Sequence, residues 1–202
     1  MADDMGHLSR DGGLALIAGA IASIILMMNH PSGAHGGPAG GIVHGGMMLA
    51  LGAMLFGFTA FVIGRGARTA PVLGLIAYAV STAVHVGAAT INGFAVPAMA
   101  AWPSGAPGHD VFLLAWQLNQ ALAGVGLFAT GLAYVAWAVD LRREQPLVAG
   151  LGSLCGVVPA ALLAAGVIKL DVHGALLDYG LHGLWALALG VTMWRSSRAA
   201  AD

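Results

Sequence analysis

Six mainly apolar stretches, separated by short segments rich in glycine, proline and charge, constrain the fold of this chain more than any other feature. They cover residues 12–29, 41–64, 72–92, 111–139, 147–168 and 174–194. A helix needs about 20 mainly apolar residues to cross the hydrocarbon core of a bilayer. The sequence therefore predicts an all-α, polytopic membrane protein, in which a single integral membrane domain forms a six-transmembrane-helix bundle.

The composition excludes the main alternatives to a membrane protein. Only 8% of the 202 residues are charged, whereas about a quarter are charged in a soluble domain. The hydrophobic content of 58% is too high for a disordered chain. A net charge of −1 leaves no basic surface for nucleic acid, and the single cysteine, Cys155, excludes an intrachain disulfide and a cysteine-based zinc site. The lipid bilayer is the predicted partner.

Lysine and arginine are distributed unevenly between the two sides of the predicted bundle. One side carries Lys169 alone, and the other carries seven arginines, which are Arg10, Arg65, Arg68, Arg142, Arg143, Arg195 and Arg198. Loops rich in these residues stay in the cytoplasm. Both termini are therefore predicted to be cytoplasmic, in a bacterial inner membrane. The segment before the first span carries more aspartate than arginine, which predicts an uncleaved helix and not a signal peptide.

Polar side chains within the spans are concentrated in the half nearer the outer side. The helical rise places His182 about 12 Å and His85 about 10 Å below the outer ends of their spans. Asp178 lies one turn above His182 on the same helix face. Polar groups are costly in lipid, so such side chains are expected to turn inward and meet. The other members of this predicted polar layer are Ser81, Asn92, Gln117 and Gln120.

Two segments of the chain, residues 35–52 and 173–190, resemble each other. Each contains two His-Gly pairs at the same spacing, followed by Leu-Ala-Leu-Gly, so that His35 and His44 correspond to His173 and His182. Both segments enter the membrane from the same predicted side, which is compatible with a duplicated helical hairpin. Glycine, leucine and alanine are so frequent in this chain that they coincide by chance, and the similarity therefore depends on the four histidines.

The polar layer predicts a transition-metal site that opens to the outer side, for redox chemistry or metal handling. Its predicted ligands are His85, His182 and Asp178, with His44 as a fourth. Imidazole is a common ligand of copper, zinc and iron, and thioether sulfur favours copper(I). Three methionines lie near histidines: Met27 and Met28 precede His30, and Met48 is one turn beyond His44.

A single haem b is an alternative cofactor. His85 and His182 lie at similar predicted depth on different helices, as a pair of axial ligands requires. The resulting function would be that of a membrane redox protein. A different class of function is that of a non-catalytic packing subunit of a membrane complex, with other membrane subunits as partners. In that case the polar layer would consist of interhelical hydrogen bonds, each contributing about 0.6 kcal/mol.

The spacings Ser81-x-x-x-His85 and Asp178-x-x-x-His182 resemble the serine, histidine and aspartate signatures of zinc-dependent intramembrane hydrolases of the alkaline ceramidase group. The resemblance implies a zinc ion that activates water for amide or ester cleavage. This chain departs from that group, whose members have seven spans and a further pair of zinc-binding histidines. On the basis of the resemblance, a zinc-dependent hydrolase is a further alternative.

Overall fold

The computed structural model describes residues 2–31, 37–66, 68–102, 105 and 107–199, and every regular element in this part of the chain is a helix. The helices are α1 (Ala2–Met28), α2 (Gly37–Gly64), α3 (Thr69–Thr90), a π-helical segment (Ile91–Ala95), α4 (Val96–Ala100), α5 (His109–Leu141), α6 (Pro146–Ala164) and α7 (Val172–Ala199). Six helical stretches are long and apolar enough to cross a membrane, with α3, the π-helical segment and α4 forming the third. The prediction of an all-α chain with six candidate spans is confirmed.

The third helical stretch extends beyond its predicted end at residue 92 and reaches Ala100. Pro97 has no backbone N–H, and its ring would clash with the carbonyl four residues earlier in a regular α-helix. Just before Pro97 the backbone widens into the π-helical segment, where the N–H of Val96 donates to the carbonyl of Ile91, five residues back. The helix thus continues past the proline through one wider turn.

Close approach of glycines holds several of these helices together. α1 packs against both α2 and α7, α5 packs against both α3 and α6, and further contacts join α2 to α3 and α6 to α7. A Cβ atom at Gly13 of α1 would lie 2.7 Å from the carbonyl oxygen of Gly190 in α7. A Cβ atom at Gly131 of α5 would lie equally close, at 2.7 Å, to the carbonyl oxygen of Gly156 in α6. Larger residues would separate these helices, as small residues in membrane helices generally allow close packing.

Five fully buried aromatic side chains form a layer across the middle of the bundle, here called the aromatic layer. It consists of Phe58, Tyr78, Tyr134, Trp137 and Trp185. The indoles of Trp137 and Trp185 are stacked with ring centroids 5.7 Å apart. Their N–H groups donate to the carbonyl oxygens of Pro71, at 3.0 Å, and Val148, at 2.9 Å. These bonds satisfy the polar atoms of two large side chains that are otherwise packed in a dry core.

An ion-pair cluster lies on one side of the aromatic layer, at what we call the Arg65 end. The guanidinium of Arg65 contacts Asp140 at 2.7 Å and Glu144 at 2.5 Å, and Arg68 contacts Asp140 at 3.1 Å. Hydrogen bonding to Glu144 raises the pKa of Arg65, and the same bond lowers the pKa of Glu144. The cluster joins the segment between α2 and α3 to the last turn of α5.

Candidate functional site

A cavity of about 390 Å³ lies on the other side of the aromatic layer, at the opposite end of the bundle, which we call the His30 end. All the helical spans except α6 contribute to its lining. Its polar side chains are those of His30, His44, His85, Asn92, Asn119, Gln120, Asp171 and Asp178, and its larger apolar ones include Met27, Met47, Trp116 and Tyr179. We call it the polar cavity. Its volume is in the range of small-ligand sites.

Two histidines meet at this cavity with their ring nitrogens face to face. The Nε2 atoms of His30 and His44 are 3.2 Å apart, and the two rings are nearly perpendicular. Nδ1 of His44 lies 2.7 Å from the carbonyl oxygen of Gly40, and Nδ1 of His30 lies 3.2 Å from that of Pro31. Because a carbonyl oxygen only accepts, each Nδ1 carries the proton and donates it. Nε2 is then the nitrogen of each ring that faces the other histidine, and the two Nε2 atoms lie within hydrogen-bond distance of each other.

Local structure places each member of this pair. His30 follows the last turn of α1, and its backbone N–H donates to the carbonyl of Met27. His44 lies in the second turn of α2 against Gly93, where a Cβ atom would approach the Cβ of His44 to 2.5 Å. The π-helical segment therefore presents a glycine where the His44 side chain needs room. Burial, together with the neighbouring His44, lowers the pKa of His30, so its ring is neutral at pH 7.

Of the three methionines expected beside histidine, Met27 lines the cavity and Met28 and Met48 do not, whereas Met47 lines it as well. Met27 and Met47 are almost completely buried, with 3% and 4% of their surface exposed, and both contribute to the cavity wall. Met28 is 70% exposed, and Met48 is half-buried outside the lining. Met47 and His30 were not among the predicted ligands, although Met47 follows His44 by three residues and therefore shares its helix face.

The His85 ring is fixed by a hydroxyl cluster that joins α3 to α5. The Ser81 hydroxyl donates to the carbonyl of Gly126 at 2.8 Å and lies 2.6 Å from Thr130 Oγ1 and 3.1 Å from His85 Nδ1. A hydroxyl has one proton, so Ser81 accepts hydrogen bonds from both Thr130 and His85. His85 then carries its proton on Nδ1. Its Nε2 has no hydrogen-bond partner among the described residues, and the side chain lines the cavity.

His182 and Asp178 lie on the same helix but have different surroundings. Nε2 of His182 shares a hydrogen bond of 2.8 Å with the hydroxyl of Tyr78, and Tyr134 donates to the backbone carbonyl of His182 at 2.9 Å. His182 does not line the polar cavity. Asp178 does line it, is 4% exposed, and has no hydrogen bond or ion pair within the described part of the chain. The cavity thus brings together three of the four predicted ligands, namely His44, His85 and Asp178.

The predicted amide side chains are divided between the cavity and the outer surface. Asn92 and Gln120 line the cavity, and Gln120 donates to the carbonyl of Leu170 at 3.0 Å. Gln117 is exposed on the outer surface of α5 and takes no part in the polar layer. Asn119, which the sequence analysis did not select, is buried at the cavity and donates to the carbonyl of Ala88 at 2.8 Å.

The two similar segments of the chain have different environments at their matching histidines. His44 lies in the cavity, whereas its counterpart His182 is bonded to Tyr78 in the core. His173 is exposed at the start of α7, where its backbone N–H donates to Asp171 Oδ1 at 3.0 Å. His35 lies outside the described residues.

The described residues contain no group of three or more histidine, cysteine, aspartate or glutamate side chains arranged to hold a metal ion. The donors that do converge are the two imidazoles of His30 and His44, in a cavity that thioethers also line. Bis-histidine haem ligation by His85 and His182 would require the bond between His182 Nε2 and Tyr78 to open. Comparisons of the chain with protein-family models, with curated proteins and with solved structures found no match.

Proposed function

We propose that this chain is an integral membrane protein that binds a transition metal ion, copper, zinc or iron, in the polar cavity through Nε2 of His30 and Nε2 of His44. The observation that supports this most directly is the 3.2 Å separation of those two nitrogens. Two imidazoles bound to one tetrahedral ion at 2.0–2.1 Å have their nitrogens about 3.3 Å apart. The separation of the two nitrogens is therefore compatible with a shared ion.

The hydrogen bonds on the far side of each ring support the same proposal. Metal-binding histidines commonly donate their other N–H to a carbonyl, which fixes the tautomer and the orientation of the ring. Gly40 and Pro31 provide such carbonyls for His44 and His30. A cation between the two Nε2 atoms would be held by both rings, while the far N–H of each ring stays bonded to its carbonyl. The arrangement thus favours a positively charged ligand.

Metal binding to the purified full-length chain in detergent tests the proposal. We expect about one ion per chain in the wild type, and almost none in His30→Ala or His44→Ala, because each variant removes one of two converging donors. His109→Ala and His173→Ala are the matched controls, because these two histidines are exposed and lie at the same end of the bundle. Equal loss of metal from the control variants and the cavity variants would contradict the proposal.

An absorption spectrum of the same sample separates the alternatives. A Soret band would favour haem b, and the element found by elemental analysis would indicate redox chemistry or zinc-dependent hydrolysis. A protein that was never exposed to a chelator and that contains neither metal nor haem would favour an accessory subunit of a membrane complex.

We also propose that the polar cavity opens to the non-cytoplasmic side of a bacterial inner membrane, with both termini in the cytoplasm. Arg65 and Arg68 cluster with the end of α5 at the end opposite the cavity, and arginine-rich ends stay in the cytoplasm. Fusion of the C-terminus to green fluorescent protein should give fluorescent cells, whereas fusion to alkaline phosphatase should give inactive enzyme. The reverse pattern would contradict this orientation.

A further inference from the structure

We propose that the polar cavity is built for a soft monovalent metal ion, copper(I), which His30 and His44 hold together with the thioethers of Met27 and Met47, with Asp178 as its counter-charge. This inference rests on the proposed function, since it names the metal that occupies the same site. Unlike the proposed function, it requires that Met27 and Met47 bind the ion and that Asp178 balance its charge.

The four donors form two matching pairs on two antiparallel helices. Met27 lies in the last turn of α1 and precedes His30 by three residues; His30 lies beyond the end of that helix, and its backbone N–H donates to the Met27 carbonyl. In α2, Met47 follows His44 by three residues. Residues three apart are neighbours on one helix face. α1 runs toward the His30 end and α2 runs away from it, so each methionine lies about one turn deeper than its histidine. The two imidazoles therefore lie nearer the His30 end of the bundle than the two thioethers.

The chemistry of the thioether indicates which metal fits. Thioether sulfur is a soft ligand that selects copper(I), whereas zinc takes thiolate, imidazole and carboxylate ligands. Met27 and Met47 are buried and line the cavity, although their sequence neighbours Met28 and Met48 do not. Met27 and Met47 belong to the hydrophobic core as well, and their place in the wall of the cavity is what brings them near the two imidazoles.

The charge of the cavity indicates the oxidation state. Neutral imidazoles and thioethers bring no charge, so the ion is balanced only by acidic side chains of the lining. Asp178 is buried there without a partner in the described part of the chain. Asp171, at the rim, is exposed and accepts hydrogen bonds from two backbone N–H groups at the start of α7. The Born cost of burying an ion rises with the square of its charge. Asp178 is thus the only buried carboxylate among the described residues of the lining, and a monovalent ion needs no further buried counter-charge.

Anaerobic competition with a copper(I) chelator, on the full-length chain in detergent, tests the role of the methionines. Silver(I), a soft monovalent ion without redox chemistry, and Zn²⁺ are measured alongside copper(I). The double variant Met27→Leu with Met47→Leu should bind copper(I) and silver(I) at least about tenfold more weakly, and its affinity for Zn²⁺ should change much less. Leucine conserves volume, so the fold should be kept, and thermal unfolding checks this. Met28→Leu with Met48→Leu is the matched control and should leave all three affinities unchanged.

The counter-charge is tested by Asp178→Asn, with Asp171→Asn as its control. Asp178→Asn should weaken copper(I) binding about tenfold, and Asp171→Asn should leave it nearly unchanged, because Asp171 is exposed and already hydrogen-bonded. Wild-type affinity for copper(I) in the Met27 and Met47 double variant would overturn the inference. Zn²⁺ binding through His30 and His44 that is as tight as copper(I) binding would also overturn the inference. In both cases the two-histidine metal site itself would stand. A protein that binds none of these ions would instead remove the proposed function.

Discussion

Two tyrosines hold His182 in the core. The Tyr78 hydroxyl is hydrogen-bonded to Nε2 of its side chain, and the Tyr134 hydroxyl donates to its backbone carbonyl. The sequence alone favoured His182 as a metal ligand because it lies at the right depth and one turn from Asp178. Sequence spacing places Asp178 and His182 on neighbouring positions of one helix. It contains no information about Tyr78, which is more than 100 residues earlier in the chain and occupies the nitrogen that a metal would need.

His182→Ala should therefore keep the metal and lose stability. Removing the imidazole leaves the buried Tyr78 hydroxyl without its partner, which typically costs about 1–3 kcal/mol. Metal content and denaturant unfolding in detergent, measured on the same preparations, check the two parts of this prediction. His173→Ala, on the exposed start of α7, should change neither. Loss of metal with unchanged stability would support His182 as a ligand after all.

Gly93→Ala should disturb the proposed metal site through His44. A Cβ at position 93 would lie 2.5 Å from the Cβ of His44, so the histidine or the π-helical segment must move. Both metal affinity and thermal stability are expected to fall, and equilibrium metal binding with a melting curve measures both. Gly45→Ala is the control beside the same histidine, because its Cβ would meet only the Phe94 ring, at 3.6 Å. Similar metal affinities in the two variants would argue against a positioning role for Gly93.

At the scale of the helices, the positions of the spans could be predicted closely from the sequence. Which face of each helix turns toward the bundle and which toward the lipid could not. Long apolar stretches identify membrane helices because crossing the bilayer requires them. Most of α5 is apolar on every side, so the spacing of its apolar residues does not show which side faces the lipid and which side faces the bundle. The sequence analysis accordingly selected Gln117, which is exposed, and passed over Asn119, which is buried. The turn after α1 that brings His30 against His44 depends on contacts between two helices, which single-sequence patterns do not contain.

The packing of α6 against α7 should depend on Gly152. A Cβ there would lie 2.6 Å from Nε1 of Trp185, whereas a Cβ at Gly150, on the same helix, would meet nothing within 4 Å. Gly152→Ala should lower stability by about 1–3 kcal/mol through overpacking, and Gly150→Ala should leave it nearly unchanged. Thermal unfolding in detergent measures the difference. Because α6 does not line the polar cavity, both variants should bind metal normally. Equal stability of the two variants would contradict this account of the interface.

In the molecule as a whole, charge and polarity are separated along the bundle axis. The ion pairs of Arg65 and Arg68 lie at one end, and the polar cavity lies at the other. The sequence predicted this separation, because arginine positions and polar residues can be assigned to the ends of spans from their order alone. It could not predict that His30 and His44 would meet in the wall of the cavity, since that pairing joins the end of α1 to α2, at positions 14 residues apart.

The ion-pair cluster predicts how the stability of the whole bundle depends on pH. Arg65 lowers the pKa of Glu144 below its ordinary value, so the ion pair stabilises the fold above that value and is lost as the pH falls through the lowered pKa. Melting temperatures in detergent should therefore fall on acidification by a smaller amount in Glu144→Gln than in the wild type. Asp110→Asn, which removes an exposed carboxylate in the first turn of α5, should retain the wild-type pH dependence. Identical acid sensitivity of Glu144→Gln and the wild type would contradict this role.

The aromatic layer has a consequence for movement across the membrane. Its five side chains are fully buried between the cavity and the Arg65 end. Their hydroxyl and indole N–H groups are already bonded to His182 and to the carbonyls of Pro71 and Val148. An ion bound in the cavity as proposed would thus meet, in this layer, only polar groups that are already hydrogen-bonded. Under the proposed function, the chain would therefore exchange metal only with the side of the membrane that the polar cavity faces.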